Sequence, residues 1–288
     1  MILITCANGK LGERVVRNLL DRADAPAIQV GARSVERIDA RLASRCAAVT
    51  ADYDVPASLA AACVGIKTLV FISGNAGNAV RIPQHHAVIE AAKDAGVERI
   101  VYTSFSNPVT TSRFNLVQAH VETERALAES GIACTILRNG IYASNLEGFV
   151  GDALKSGVLA MPSAAAKICY SGHDDLAEAT ARVALEAGHA GQTYELTGSE
   201  PLDAGDLAAL LSEVAGRPII SADIPLGDFR AFLGTLGLDD AAAADLASIY
   251  SAAAAGEYAT PHDDLARLLG RPPIAMRDYL AALTSTEG

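Results

Sequence analysis

Basic residues are in deficit in this 288-residue chain: 23 Lys and Arg stand against 34 Asp and Glu, a net charge of −11. A general nucleic-acid binder needs a basic face, so that class is excluded. An anionic cofactor is not, because a few local donors suffice for a phosphate. No CxxC pair occurs. The five cysteines (Cys6, Cys46, Cys63, Cys134, Cys169) are odd in number and read as reduced small hydrophobes, with no metal site implied. His85-His86 has no Cys or acid cluster at ligand spacing and reads as a surface or hydrogen-bonded pair. No basic stretch leads into an apolar run at the start, and no apolar run is long enough to cross a bilayer. The expectation is a cytoplasmic protein without a membrane partner. There is no internal repeat and no linker, which suggests one folding unit.

Half of the residues are hydrophobic, enough for a sizeable core. In the first half, strand-like and helix-like segments alternate. Strands are expected at Met1–Thr5, Ala27–Ala32, Ala47–Thr50, Thr68–Ser73, Arg99–Ser104 and Ala133–Arg138. Helices are expected at Leu11–Leu20, Val35–Leu42, Ala57–Cys63, Gln84–Ala95 and Val117–Ser130. Repeated βα units with short turns imply a parallel sheet covered on both faces, doubly wound by right-handed crossovers. The second half reads as helices at Glu147–Lys155, Asp175–Ala187, Asp203–Val214 (with an Asp cap), Asp228–Leu236, Ala241–Ala255, Asp263–Leu269 and Met276–Leu283, with one strand at Thr193–Thr197. In Ala241–Ala255, Leu246, Ile249 and Tyr250 form the apolar face. The fold class is therefore α/β: a Rossmann-type doubly wound parallel sheet over residues 1–150, with a smaller, mostly helical C-terminal lobe over 151–288. Part of that lobe is expected to return to the sheet, and the lobe to cover the sheet's carboxyl edge.

After the first strand comes Thr5-Cys6-Ala7-Asn8-Gly9-Lys10-Leu11-Gly12. A strand, a glycine turn and a helix start in this order form a pyrophosphate cradle, because the helix N-terminus offers unbonded N–H groups and partial positive charge. Gly9 lets the backbone approach phosphate, Gly12 lets the helix pack close to the sheet, and Lys10 adds charge. The pattern is G-x-x-G-x-x-G with Cys6 in place of its first glycine. At the end of the second strand, Val30-Gly31-Ala32-Arg33-Ser34 carries no acid for the ribose hydroxyls. Arg33 stands where a 2′-phosphate would sit, with Ser34 and Arg37 close in sequence, so NADPH is favoured over NADH. Asp52 has two readings, an adenine contact or an ordinary loop acid.

Thr5–Gly12, Ala51-Asp52-Tyr53, Phe71-Ile72-Ser73-Gly74, Ala95-Gly96-Val97, Tyr102-Thr103-Ser104, Glu122-Thr123-Glu124 and Leu137-Arg138-Asn139-Gly140-Ile141-Tyr142 follow in order. So do Glu186-Ala187-Gly188-His189, Tyr194-Glu195-Leu196 and Leu269-Gly270-Arg271-Pro272. Together they resemble the NmrA-like atypical short-chain dehydrogenases, among them the quinone-reducing and triphenylmethane-reducing members. The resemblance implies NADP(H) in a cleft between a Rossmann domain and a C-terminal lobe. The implied cofactor contacts are Asn8, Gly9, Lys10, Leu11, Arg33, Asp52, Ser73, Gly74, Thr103 and Ser104, with Asn139 and Tyr142 near the nicotinamide or substrate. It leaves the oligomeric state open, a homodimer included.

Ordinary short-chain dehydrogenases use Tyr-x-x-x-Lys to protonate the alkoxide formed by hydride addition. No such motif occurs in this chain. In the family pattern His120 takes the lysine slot, which puts Leu116 in the tyrosine slot, on a helix beginning near Asn115. Two functions remain. One is a reductase of acceptors whose reduced anion is already stable: a quinone, a triarylmethane cation or an extended aromatic polyketide quinone, with catalysis mostly by positioning. The other is a non-catalytic NADP(H) redox sensor acting through a protein partner. His120 then donates to a quinone oxygen or is structural. Ser104 contacts substrate or caps a turn, and Tyr142 lines the cleft or packs. Glu122 and Glu124 read as a solvated helix face.

Overall fold

The computed structural model describes residues 1–286. Its strands are β1 (Ile2–Ile4), β2 (Ile28–Ala32), β3 (Ala47–Thr50), β4 (Thr68–Ile72), β5 (Arg99–Phe105), β6 (Ala133–Asn139), β7 (Ile141–Tyr142), β8 (Val158–Pro162), β9 (Tyr170–Ser171), β10 (Thr193–Leu196) and β11 (Ile220–Ile224). Its helices are α1 (Lys10–Leu20), α2 (Ala40–Ala43), α3 (Pro56–Ala62), α4 (Asn78–Asp94), α5 (Val117–Glu129), α6 (Glu147–Ser156), α7 (His173–Leu185), α8 (Ala204–Ala215), α9 (Leu226–Thr235), α10 (Asp240–Ala254), α11 (Asp264–Leu269) and α12 (Met276–Thr286).

Seven strands form one sheet in the order β10-β6-β5-β4-β1-β2-β3. β1 pairs parallel with both β2 and β4, β2 with β3, and β4 with β5. The chain winds outward from β1 to β3, crosses back to β4, and then winds the other way. The reversal lies between β1 and β4, where an open α/β sheet presents its ligand crevice at the strands' carboxyl ends. Ile4, Val30, Leu69, Val70, Phe71, Ile100 and Val101 are wholly buried. Helices cover both faces, so these strands read as continuous apolar runs rather than alternating ones. α1 buries Leu11, Val15, Val16 and Leu19 and packs along α7, with an ion pair from Arg14 to Asp174.

The chain does not divide by one cut near residue 150. One compact unit comprises Met1–Pro108, Gln118–Arg138 and His173–Tyr194; the other comprises Val109–Val117, Asn139–Gly172 and the chain from Glu195 onward. Thus α7 belongs with the sheet. In the second unit β8 and β11 form a two-stranded parallel sheet, and β7 pairs with β9. α8 starts on a reciprocal cap between Asp203 and Asp206, which satisfies two otherwise orphaned N–H groups.

Several local expectations need correction. Val35–Leu42 is not one helix: Ile38 is extended (φ −75°, ψ 134°), splitting a short turn at Val35–Arg37 from α2, which Asp39 caps. α4 begins at Asn78, ahead of Gln84, and carries Pro83 inside. Its start is held because Asn78 Oδ1 accepts from Ala119 N at 3.1 Å. Asn115 and Leu116 lie ahead of α5 rather than on it. The strands β7, β8, β9 and β11 were not anticipated. On α10 the buried face is Ala243, Ala247 and Tyr250, while Leu246 is exposed. Phe149 and Phe229 stack there and Tyr250 meets both edge-on, so the small alanines of α10 outrank the leucine as core. Among the described residues no helix is long and apolar enough to cross a membrane, and no cluster could hold a metal ion.

Candidate active site

In the sheet-bearing unit Cys6, Arg33, Asp52, Ser73, Gly74, Thr103 and Ser104 all stand at carboxyl ends of strands, and so on one edge of the sheet. At the first turn Cys6 has φ 50°, the left-handed conformation for which glycine is the natural residue. It is tolerated because the half-buried Sγ–H finds Tyr53 Oη at 3.6 Å. Tyr53 in turn donates to Ile72 O at 2.8 Å and lies 2.5 Å from Thr5 Oγ1, tying the ends of β1 and β4 beneath the turn. Burial pushes the Cys6 thiol up, so it is not a thiolate near neutrality; the Tyr53 bond and the Arg33 charge pull weakly the other way.

Gly12 is required by close approach: a Cβ there would lie 2.3 Å from Cys6 O and 2.9 Å from Ala7 Cα. Gly9 is the N-cap of α1 and supplies no side-chain cap. The first-turn N–H groups of α1 thus remain available to an anion. Asn8, Gly9 and Lys10 are exposed on this turn, whereas the Leu11 side chain is core and offers only its backbone N–H. Arg33 is exposed, and its guanidinium has no partner among the described residues. Arg33 directly follows β2, which pairs parallel with β1, so it stands at the same sheet edge as the turn after β1. Asp52 Oδ1 accepts from Asp54 N at 3.1 Å, closing its own turn.

Deeper in the same unit, Thr103 Oγ1 accepts from Ser73 N at 3.1 Å. Arg81, nearly buried, donates to Gly74 O at 3.1 Å and anchors the loop after β4. His85 is wholly buried, with Nδ1 2.7 Å from Thr123 Oγ1 and Nε2 3.4 Å from Ser73 Oγ. Burial, reinforced by the Arg81 and His86 charges, takes its pKa down to about 3. It is a neutral core histidine, on the hydrogen-bonded side of the sequence reading. His120 is also buried, bonded through Nδ1 to Tyr102 Oη at 3.0 Å and stacked on Phe105. Burial first, then the Arg81 and His85 charges, hold it well below the usual histidine range. His120 is therefore no imidazolium acid at neutral pH; it can donate a hydrogen bond from a neutral ring.

Ser104 donates to Glu124 Oε1 at 2.6 Å, and Arg138 grips the same carboxylate through Nη2 at 2.7 Å and Nε at 3.1 Å. Glu124 is thus not part of a solvated face: its side chain is only 16% exposed. Glu122 is solvated as read and pairs with Arg125. Because the Ser104 proton is committed to Glu124, its hydroxyl faces other groups only as an acceptor. Tyr102, Glu124 and Arg138 lie in the segments that carry the resemblance, but nothing in those segments signals their roles, which come from partners on other elements. In the second unit, Asn139 is wholly buried, and its Nδ2 donates to Tyr142 Oη at 3.3 Å. Its Oδ1 has no hydrogen-bond partner among the described residues. Burial raises the Tyr142 phenol, which therefore stays protonated.

The model of the NmrA-like family matches residues 1–269. Quinone oxidoreductase 2 of Escherichia coli is 36% identical over 283 residues, 98% of each chain. A crystal structure of the E. coli NADPH-dependent quinone oxidoreductase complexed with NADPH superposes with TM-score 0.91, covering 99% of this chain and all of that one. The Citrobacter sp. triphenylmethane reductase complexed with NADP(H) is 32% identical, with TM-score 0.92 over 98% of this chain and all of that one. A phosphate-ready glycine turn at the switch point of a doubly wound sheet, carried on this nearly full-length similarity, leads to one conclusion: the chain belongs to the NmrA-like family.

Proposed function

We propose that the chain is an NADPH-dependent reductase that transfers hydride to a quinone or a similarly conjugated aromatic acceptor, a class that includes polycyclic aromatic polyketides. The observation that carries this reading is the missing proton donor. No Tyr-x-x-x-Lys occurs in the chain, and His120, which takes the lysine slot in the family resemblance with Leu116 in the tyrosine slot, is buried and neutral. A plain ketone would leave a basic alkoxide without an acid. A quinone leaves a delocalised hydroquinone anion and needs none in the transition state. Relatives named for quinones, triphenylmethane dyes and, at 27% identity over the whole chain, azo compounds support the same class of acceptor.

The residues present fit the cofactor. The uncapped start of α1, with the close approach at Gly12, forms a cradle that a Cβ would fill, and Arg33, whose guanidinium has no partner among the described residues, follows the neighbouring strand β2 at the same sheet edge. When bound, NADPH supplies the hydride. Gly9, Lys10 and the Leu11 N–H would hold its pyrophosphate and Arg33 its 2′-phosphate. Ser73, Thr103 and Ser104 are held rigid by the bonds described above, so the chain's contribution is chiefly positioning.

The test is NADPH oxidation followed by absorbance against benzoquinones, naphthoquinones, polycyclic anthraquinones and plain ketones. Quinones are expected to react and plain ketones not to, and His120→Ala to slow quinone turnover without abolishing it. Reduction of plain ketones would place the proton donor elsewhere. Silence across the panel, with NADPH still bound, would favour a redox sensor acting through a protein partner.

A further inference from the structure

Beneath the carboxyl ends of β4 and β5 lies a cluster of rings and hydroxyls within the sheet-bearing unit. Phe71 packs on His85 (centroids 4.8 Å) and on Tyr102 (5.0 Å), and His120 lies between Tyr102 and Phe105. Each exchangeable proton in a buried cluster needs an acceptor, since an orphaned group there loses its hydration without compensation. The protons can be placed one by one.

Thr123 donates its hydroxyl proton to Ala119 O. Its oxygen can therefore only accept from His85 Nδ1, so His85 carries its proton on Nδ1. His85 Nε2 is then an acceptor, facing the Ser73 hydroxyl, which also lies within reach of Gly74 O. Tyr102 is wholly buried, and its phenol stays protonated because burial disfavours the phenolate. The Ser73 and Thr123 hydroxyls also approach the phenol oxygen, but among the described residues only His120 Nδ1 stands in hydrogen-bond geometry to it. The acceptor left for the phenol proton is His120 Nδ1, at 3.0 Å. If Nδ1 carried the proton instead, the phenol hydrogen would have no acceptor in hydrogen-bond geometry among the described residues. His120 Nε2 has no partner among the described residues.

We propose that Tyr102 is a positioning residue for the reductase: by donating to Nδ1 it locks His120 as the Nε2–H tautomer, so that the imidazole presents a hydrogen-bond donor and never an acceptor. The two neighbouring buried histidines thus hold opposite tautomers, His85 on Nδ1 and His120 on Nε2. The catalytic consequence rests on the reductase reading: an Nε2–H stabilises the oxygen that gains negative charge when a quinone accepts hydride. The tautomer itself rests on hydrogen-bond placement alone. The charged and titratable groups acting on His120 and Tyr102 are Arg81, His85 and Glu124. The Arg81 cation opposes a second positive charge on the ring.

The experiment is long-range proton–nitrogen correlation NMR on the full-length protein labelled in its six histidines, with His120→Asn to assign the resonance. Wild-type His120 is expected to show a protonated Nε2 and a bare Nδ1, and His85 the reverse. In Tyr102→Phe, His120 Nδ1 loses its donor. The resonance is expected to move toward a mixed-tautomer pattern, and kcat for quinone to fall about three- to tenfold with KM nearly unchanged. A wild-type His120 with its proton on Nδ1 overturns the proposal even if Tyr102→Phe does not fold. So does a tautomer unmoved by Tyr102→Phe. A turnover panel silent for wild type would sink the reductase reading instead, leaving the tautomer assignment to the spectrum.

Discussion

Replacing Cys6 by glycine tests the nucleotide turn at the residue where it departs from its pattern. At φ 50° a side chain with a Cβ costs about 1–2 kcal/mol relative to the right-handed region. Glycine removes that cost but gives the unfolded chain more freedom, worth roughly 0.5–1 kcal/mol against it. It also loses the half-buried thiol and its bond to Tyr53, about 1 kcal/mol. These effects nearly cancel, so Cys6→Gly should melt within a few degrees of wild type. Cys6→Ala gives up the thiol while keeping the strained backbone. Glycine should therefore be the more stable of the two variants by about 0.5–1 kcal/mol, the reverse of their order in a helix or strand. The Cys6 carbonyl that packs on Gly12 and the open start of α1 are untouched by either change. NADPH affinity in Cys6→Gly should be kept or tightened. Thermal melts and calorimetric titration of the three proteins measure both quantities. An alanine variant more stable than the glycine one would refute the left-handed assignment. No NADPH binding by wild type or Cys6→Gly would refute the cradle itself.

Arg33→Ala should weaken NADPH by roughly ten- to a hundredfold, as for a charge-assisted bond, and leave NADH nearly unchanged in the same titration; a wild type that prefers NADH sinks the assignment. His85 supplies a pH test with a definite sign. Its folded pKa of about 3 lies below the ordinary value of 6.5, so the folded state binds the proton more weakly than the unfolded one. Its contribution is complete above pH 6.5 and lost as pH falls toward 3, on the order of 2 kcal/mol between pH 7 and 5. Urea unfolding across that range should show a shallower loss in His85→Asn than in wild type, and equal slopes would show that His85 protonates freely in the folded protein.

How much of this was legible in the sequence follows from the range of the interactions involved. The short apolar runs of β1 to β6, the glycine turn and the Asp203 cap are set by neighbours within a few residues. Periodicity and turn chemistry therefore specify the doubly wound sheet, and the missing acid beside Arg33 is what favours NADPH in the sequence. The split at Ile38, the β8–β11 pair and the outward side of Leu246 escaped, because short segments with mixed patterns are decided by what packs on them. The site divides in the same way. That the chain lacks Tyr-x-x-x-Lys is a property of the sequence alone. That Glu124 is clamped between Ser104 and Arg138, and that His120 is neutral with its Nδ1 bonded to Tyr102, was decided only by the tertiary structure. A carboxylate on a polar-looking helix and a histidine near its start carry no local mark of burial. Their charge, partners and protons are set by side chains from other elements, which the folded topology alone brings within hydrogen-bond distance.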